Sequence, residues 1–195
     1  RRMEALGLTQ IASKVETGER ISDADAMVLF QCPDLLAAGA LANLARRRKS
    51  GNKAYYILNH HINYSNVCTA TCSFCAFYRR KGEPGAWDYS LEEMERIARE
   101  ASQAGAREIH MVGGLHPDYP LSYYEELMGR IKSAAPSIHI KAFTAVEITW
   151  FAKRSGLSPK EVLEKLRESG LDSLPGGGSE IFHPDVFDLL VKNKD

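Results

Sequence analysis

The chain has 195 residues, and its 25 lysines and arginines balance 25 aspartates and glutamates, so its formal net charge is zero. Apolar residues make up 44% and charged residues 26%, which is ordinary for a globular protein. The balanced charge argues against a nucleic-acid partner, and there is no apolar run of about 18 residues to span a membrane. The first eight residues lack the apolar stretch of a secretory signal. These features predict a cytoplasmic protein.

Residues 1–52 are predicted to form a helical segment with two helices. Ser22 to Gln31 begins with a capping box, and Asp34 to Lys49 has a face of leucine and alanine. The basic run 46–49 is expected to complement the dipole at the end of the second helix. Cys32 follows an apolar run and is predicted to be a small buried hydrophobic residue.

From residue 53 onward, segments with the pattern of strands alternate with helices, which predicts right-handed crossovers and a parallel sheet, either doubly wound or a barrel. The predicted strands are Ala54–Leu58, Glu108–Val112, His139–Ala145 and Leu171–Leu174, and the predicted helices are Ser90–Ala104, Pro120–Ser133 and Ser158–Gly170. Four strands are too few to close a barrel, which takes about 250 residues. We therefore expect the chain to be the N-terminal part of a longer protein.

The unusual segments of the chain follow the predicted strands. They are the cysteine loop, the pair Gly113-Gly114, Glu147 and the glycine run 175–178. In doubly wound sheets and in barrels alike, the chemistry lies at the carboxyl ends of the strands. The sequence therefore predicts an active site at this edge of the sheet.

Cys68, Cys72 and Cys75 lie within eight positions, and their C-x3-C-x2-C spacing predicts that one loop wraps three thiolates round an inorganic centre. One alternative is a zinc-stabilised structural domain, in which a histidine supplies the fourth ligand. The candidates for that ligand are His60, His61, His110 and His116. The other is an iron–sulfur cluster, which the spacing favours. Because a four-iron cluster normally takes four cysteines, three would leave one iron open, which argues against a passive electron carrier.

The segment Cys68-Thr-Ala-Thr-Cys72-Ser-Phe74-Cys75 resembles the signature of the radical S-adenosylmethionine (SAM) superfamily. The resemblance implies a full or partial (β/α) barrel of the TIM type, of which residues 53–195 would form the N-terminal portion. It also implies that the three cysteines bind a [4Fe-4S] cluster and that SAM chelates the open iron. One electron from the cluster would then cleave SAM to methionine and a 5′-deoxyadenosyl radical.

The same resemblance assigns candidate residues for binding the cofactor: Phe74, Gly113, Gly114, Thr144 and Glu147. The glycine pair matches the family motif that holds the methionine amine, and Phe74 would shield the cluster from water. Glu147 is a candidate acceptor for the ribose hydroxyls of SAM. The glycines are also compatible with a simple tight turn, and Glu147 with an ordinary carboxylate at the start of a helix.

Five segments together resemble the aminofutalosine synthase family of the futalosine route to menaquinone: residues 59–68, 75–77, 112–117, 141–148 and 174–182. This implies a transferase that adds the 5′-deoxyadenosyl radical to 3-[(1-carboxyvinyl)oxy]benzoate to form 6-amino-6-deoxyfutalosine. Cyclic dehypoxanthine futalosine synthase and the tyrosine-using subunit of FO synthase share the layout and remain the alternatives.

The implied substrate carries two carboxylates, so the expected partners are cationic or hydrogen-bonding side chains. The candidates by position are Asn63, Tyr64, Arg79 and His116, with His61 and Glu180 as candidate catalytic groups. The basic run 79–81 is an alternative docking site for an acidic electron donor such as flavodoxin or ferredoxin.

Overall fold

The structure is a computed structural model and describes residues 1–177 and 182–190. The chain divides into two units, Arg1–Tyr56 and Ile57–Asp195. None of the helices formed by the described residues is long and apolar enough to cross a membrane.

The first unit consists of four helices: α1 (Arg2–Ala5), α2 (Thr9–Thr17), α3 (Asp23–Gln31) and α4 (Leu35–Ser50). The sequence predicted α3 and α4, and both begin with the expected caps, since Ser22 forms a capping box and Asp34 accepts from the N–H of Ala37 at 3.1 Å. It missed α1 and α2. The cap position of α2 is Leu8, whose side chain makes no capping hydrogen bond, so the usual start signal is missing.

The core of the first unit lies between α2 and α4. Its buried side chains are Leu8, Ile11, Ala12, Val15, Ala37 and Leu41. Cys32 packs against this cluster but is only partly buried. Its environment is that of a small hydrophobic residue, although its burial is less complete than predicted.

The second unit is built on a parallel sheet of three strands in the order β1 (Asn59–Ile62), β2 (Glu108–Met111) and β3 (His139–Ala142). Its helices are α5 (Leu91–Gln103), α6 (Leu121–Ala134), α7 (Ala145–Ser155), α8 (Pro159–Glu168) and α9 (Pro184–Leu190). The register pairs Ile62 with Met111 and Met111 with Ala142. The three strands therefore end level with one another, and the segments that follow them lie side by side.

Helices α5 and α6 pack against one face of the sheet. The side chains of this core are fully buried, and they include Ile62, Met94, Ile109, Met111, Leu127, Met128, Ile131 and Ile140. The alternate positions of the strands carry polar residues, among them His61, His110 and Lys141, which share one register row. The sheet is thus apolar towards its helices and polar on its other face.

The structure corrects three of the predicted strands. Ala54–Leu58 is not a strand; Tyr55 and Tyr56 are exposed, and the pairing with β2 begins at Asn59. The third strand ends at Ala142 instead of Ala145, because Phe143 adopts a positive φ of 65° and Thr144 already caps α7.

The third correction concerns Leu171–Leu174. Within the described residues it forms a single bridge, between Ser173 and Lys141, instead of a strand. The helix α7 is implied only by the alternative interpretation of Glu147, which gives it no bounds. Its start overlaps the end of the apolar run that was assigned to the third strand, so the two patterns merge in the sequence.

We predict that Leu127→Ala lowers the free energy of unfolding by about 2–5 kcal/mol, because Leu127 is fully buried in α6 and its removal leaves a cavity. Urea denaturation followed by circular dichroism measures the change. Leu58→Ala is the matched control, since Leu58 is 55% exposed. An equal effect of the two substitutions would contradict the assignment of the core.

Candidate functional site

A cavity of about 230 Å³ lies where the three strands end. Its walls come from the loop after β1, the segment after β2 and the start of α7. The lining residues are Cys68, Ala70, Cys72, Phe74, Cys75, Phe77, Tyr78, Val112, Gly113, Gly114, Leu115, Thr144, Val146 and Glu147. The structure thus brings all three loop cysteines together with all five residues predicted to bind a cofactor.

The cysteine loop is held by backbone hydrogen bonds to its neighbours. The N–H of Cys68 donates to the carbonyl of Arg79 at 3.0 Å, and the N–H of Thr69 donates to the carbonyl of Leu115 at 3.1 Å. The N–H of Leu115 in turn donates to the sulfur of Cys68 at 3.3 Å. The loop after β1 and the segment after β2 are therefore joined at the first cysteine.

The three sulfurs lie in a largely apolar environment. Cys72 is buried and the other two cysteines are partly buried. Burial raises the pKa of the Cys68 thiol, and hydrogen bonds from the backbone of Leu115 and Ala70 oppose that shift. Because coordination to a metal deprotonates a thiol, a metal centre would stabilise the thiolate form here.

The described lining of the cavity supplies cysteine side chains as metal ligands, and no histidine. Among residues 1–177 and 182–190, no three histidine, cysteine, aspartate or glutamate side chains converge as ligands of one metal ion. The thiolates that hold an iron–sulfur cluster bind different irons, so they need not converge on one point. The histidines proposed as a fourth zinc ligand, His60, His61, His110 and His116, do not line the cavity within the described part of the chain.

Gly113 and Gly114 allow the segment after β2 to approach the loop after β1 closely. A Cβ on Gly113 would overlap the ring of Tyr64, and a Cβ on Gly114 would overlap the carbonyl oxygen of Val67. Neither glycine has a positive φ, so the tight-turn explanation is not supported. The N–H of Gly114 donates to the carbonyl of Ser65 at 3.0 Å. The absence of side chains thus allows the segment after β2 to lie directly on the loop after β1.

Glu147 is buried at the start of α7, with 2% of its surface exposed. One carboxylate oxygen accepts from the N–H and hydroxyl of Thr144, and the other accepts from the Tyr64 hydroxyl and the Gly113 N–H. Burial raises the pKa of Glu147, and these hydrogen bonds oppose the shift. The capping box of α7 therefore contacts the glycine pair.

The predicted substrate-binding residues lie outside the cavity lining. Tyr64 is fully buried beneath Gly113. Asn63 is partly buried, and its side-chain oxygen has no hydrogen-bond partner among the described residues. Arg79 donates to the carbonyls of Ala76 and Tyr78 at 3.2 and 2.7 Å.

His116 is also absent from the described lining of the cavity. Its side chain is 3% exposed and stacks on Tyr119, with ring centroids 3.7 Å apart. Its Nε2 lies 3.3 Å from Asp88 Oδ1, and its Nδ1 accepts from the N–H of Asp118. Burial lowers the pKa of His116, while Asp88 opposes the shift. These contacts hold the His116 ring in place outside the described lining of the cavity.

Of the two candidate catalytic residues, the structure describes only His61, which does not line the cavity. His61 is exposed on β1, with its ring centroid 4.8 Å from that of His110. Glu180 lies outside the described residues.

Sequence reasoning missed the role of Leu115 and the helix α9. The backbone N–H of Leu115 has no signature in the sequence, since any residue but proline supplies it. Helix α9 covers the cysteine loop: Phe187 and Leu190 pack against its apolar residues, and the Leu190 carbonyl accepts from the N–H of Ser73 at 2.9 Å. The sequence shows an amphipathic stretch at residues 186–191, but no helix was assigned to it.

With this geometry established, comparison with known proteins decides the family. Residues 62–190 match the Radical SAM superfamily. The chain belongs to the radical SAM superfamily. This membership confirms the family predicted from the cysteine loop, and it implies a [4Fe-4S] cluster and SAM as cofactors.

The relatives agree with this membership. An aminodeoxyfutalosine synthase from Thermus thermophilus is 45% identical over 187 residues, which cover 96% of this chain and 50% of the relative. An FO synthase from Mycobacterium tuberculosis is 37% identical over 98% of this chain and 22% of its own length. The chain therefore spans half or less of each of these relatives.

Among solved structures, methylornithine synthase superposes with a TM-score of 0.74 at 20% identity, covering 94% of this chain and 51% of that chain. At this identity the similarity concerns the fold alone. It supports a partial barrel with a small parallel sheet, as the sequence predicted.

We predict that Gly114→Ala lowers the free energy of unfolding by about 1–3 kcal/mol, because the new methyl group must displace the Val67 backbone. Gly129→Ala is the matched control, since a Cβ there meets open space within helix α6 and is expected to stabilise the protein slightly. Chemical denaturation measures both. Equal stability of Gly114→Ala and the wild type would contradict the close approach described above.

Proposed function

We propose that this chain is the cofactor-binding part of a radical SAM transferase of the aminodeoxyfutalosine synthase type. The reaction would join the 5′-deoxyadenosyl group of SAM to 3-[(1-carboxyvinyl)oxy]benzoate, giving 6-amino-6-deoxyfutalosine. Methionine would leave from SAM, and the carboxylate of the enol ether would leave as CO2 or bicarbonate. The observation that carries the proposal is the cavity in which the three loop cysteines meet Gly113 and Gly114 at the carboxyl ends of the strands. The 45% identity to the Thermus thermophilus relative supports this choice of substrate.

In this proposal Cys68, Cys72 and Cys75 hold the cluster, because they line one cavity and no fourth cysteine lies in their loop. The bound cluster would supply the electron that cleaves SAM and an open iron that SAM chelates. The N–H of Leu115 donates to the sulfur of Cys68, and such hydrogen bonds are among the factors that set the potential of a cluster.

The remaining lining residues would exclude water from the reaction. Phe74, Phe77, Val112, Leu115 and Val146 give the cavity largely apolar walls. A carbon radical takes hydrogen atoms from nearby donors, so a site from which water and stray donors are excluded protects it from side reactions. The apolar walls are thus suited to radical addition.

A second candidate is the reaction of the tyrosine-using FO synthase type. The 37% identity to FO synthase over nearly the whole chain favours it as the alternative. The two reactions differ in the substrate that SAM activates. It is an enol ether of benzoate in one; in the other it is tyrosine, which gives its 4-hydroxyphenyl-bearing group to 5-amino-6-(D-ribitylamino)uracil. These substrates are expected to contact parts of the protein beyond the cluster loop, so activity assays with both sets of substrates distinguish the two.

We also propose that an acidic electron donor, such as flavodoxin or ferredoxin, docks beside the cysteine loop. Arg79, Arg80 and Lys81 follow the last cysteine closely, and Lys81 remains largely exposed although it pairs with Asp118. Complementary charge accelerates the encounter of such partners.

The experiment that tests the proposal uses the complete protein, purified and reconstituted without oxygen. We expect about four irons per chain, which corresponds to one [4Fe-4S] cluster. The electron paramagnetic resonance signal of the reduced cluster should change when SAM is added. Mass spectrometry should detect aminodeoxyfutalosine as the product. Stoichiometric zinc without iron would overturn the cofactor assignment. A product only from tyrosine and 5-amino-6-(D-ribitylamino)uracil would establish the second candidate instead.

We predict that Cys72→Ala abolishes cluster binding, because it removes one of the three thiolates of the cavity. Cys32→Ala is the matched control and is expected to keep its iron, since Cys32 packs in the first unit against a hydrophobic cluster. Iron analysis and the visible absorption of reconstituted protein measure both. Loss of iron in the control, or its retention in Cys72→Ala, would contradict the assignment.

A further inference from the structure

We propose that Glu147 is a positioning residue for the SAM site. It fixes the backbone of the glycine pair, Gly113 and Gly114, by accepting hydrogen bonds from the Gly113 N–H and from the Tyr64 hydroxyl. It would not be a direct acceptor for the ribose hydroxyls of SAM. The inference rests on the proposed function, because it takes the cavity beside the cysteine loop as the place where SAM binds.

The hydrogen bonds of Glu147 fill its carboxylate. Oε2 accepts from the N–H of Thr144 at 2.7 Å and from its hydroxyl at 2.8 Å. Oε1 accepts from the hydroxyl of Tyr64 at 2.7 Å and from the N–H of Gly113 at 3.1 Å. A carboxylate has about four lone-pair positions. Four donors of this chain occupy them, so none is left for the hydroxyls of a ligand.

The capping box at the start of α8 shows what Glu147 does beyond capping a helix. Glu161 also accepts from the N–H and the hydroxyl of its cap residue, Ser158, at 2.7 Å each. It is exposed, and its other oxygen accepts no hydrogen bond among the described residues. The second oxygen of Glu147, by contrast, reaches the segment after β2 and the loop after β1.

The side chain of Tyr64 lies against both glycines and donates its single hydroxyl proton to Glu147. Its ring lies against Gly113, where a Cβ would overlap it, and its hydroxyl oxygen is 3.1 Å from the carbonyl oxygen of Gly114. The ring is fully buried and packs edge-on against Tyr124 and Phe143. Glu147 and Tyr64 therefore hold the glycine pair from α7 and from the loop after β1.

Glu147→Gln, compared with Glu161→Gln, tests this role, because an amide has one acceptor oxygen and one donor nitrogen. If the nitrogen points towards Gly113, it opposes the N–H of Gly113. If it points towards Thr144, it opposes the N–H of Thr144 and breaks the cap. Either orientation loses a buried backbone hydrogen bond with little change in shape. Glu161→Gln perturbs only a capping box, and it is the matched control.

The readout is the affinity for SAM and for its analogues that lack the 2′- or the 3′-hydroxyl, measured by calorimetry on the complete reconstituted protein with its iron content checked. We expect Glu147→Gln to weaken the binding of SAM about tenfold, since one buried hydrogen bond is lost. The ratio of the affinities for SAM and for each analogue should stay at its wild-type value. Glu161→Gln should bind all three ligands as the wild type does.

Two results would overturn the inference. A ratio that falls towards one in Glu147→Gln would show that the carboxylate accepts directly from the ribose hydroxyls. Affinities equal to those of Glu161→Gln would show that Glu147 only caps α7. If Glu147→Gln does not fold, Tyr64→Phe takes its place, because it removes only the hydroxyl; it should also weaken SAM binding without changing the ratio, and an unchanged affinity counts against the inference.

A second measurement separates failure of this inference from failure of the proposed function. Hydrogen exchange of the Gly113 and Gly114 amides needs no SAM. It should accelerate in Glu147→Gln and stay unchanged in Glu161→Gln. If the wild type binds no SAM but the exchange pattern is as expected, the assignment of the SAM site is refuted. The conclusion that Glu147 fixes the backbone of the glycine pair would still hold. Normal SAM binding with equal exchange in both variants would refute the positioning role alone.

Discussion

The close approach of two backbone segments is the constraint on which the site depends. The segment after β2 lies on the loop after β1 because Gly113 and Gly114 have no side chains, and the ring of Tyr64 and the carbonyl of Val67 occupy the space that a Cβ would need. This contact brings the N–H of Leu115 to the sulfur of Cys68. If the two segments were farther apart, the cavity would lose one wall and the first cysteine its hydrogen bond.

The parallel sheet makes this approach possible. Because Ile62, Met111 and Ala142 are aligned in register, the three strands end at the same level and their loops meet. The apolar face of the sheet packs on α5 and α6, which fixes the strands from one side and leaves their ends for chemistry. Stability and function are thus assigned to different parts of the same strands, as is usual for this class of fold.

The features that the sequence predicted well depend on residues close together in the chain. The cysteine spacing and the capping box of α3 are of this kind. Ala54–Leu58 was wrongly predicted as a strand because aromatic and β-branched residues indicate propensity, whereas a strand also needs a paired neighbour. The bond between Tyr64 and Glu147 joins residues 83 positions apart, so no local pattern indicates it. Glu147 was accordingly recognised as part of the site but not as a partner of Tyr64.

The charges of the cavity are consistent with a cationic ligand. Glu147 contributes a carboxylate, the cysteines become thiolates when they bind metal, and no lysine or arginine of the described chain lines the walls. Negative groups in apolar surroundings are unfavourable unless they are paired or hydrogen-bonded. Four donors stabilise the carboxylate, and a metal centre would stabilise the thiolates. The sulfonium group of SAM would complement the negative charge of thiolates that hold a metal centre, so a cavity whose described walls hold no lysine or arginine is compatible with the ligand that the family implies.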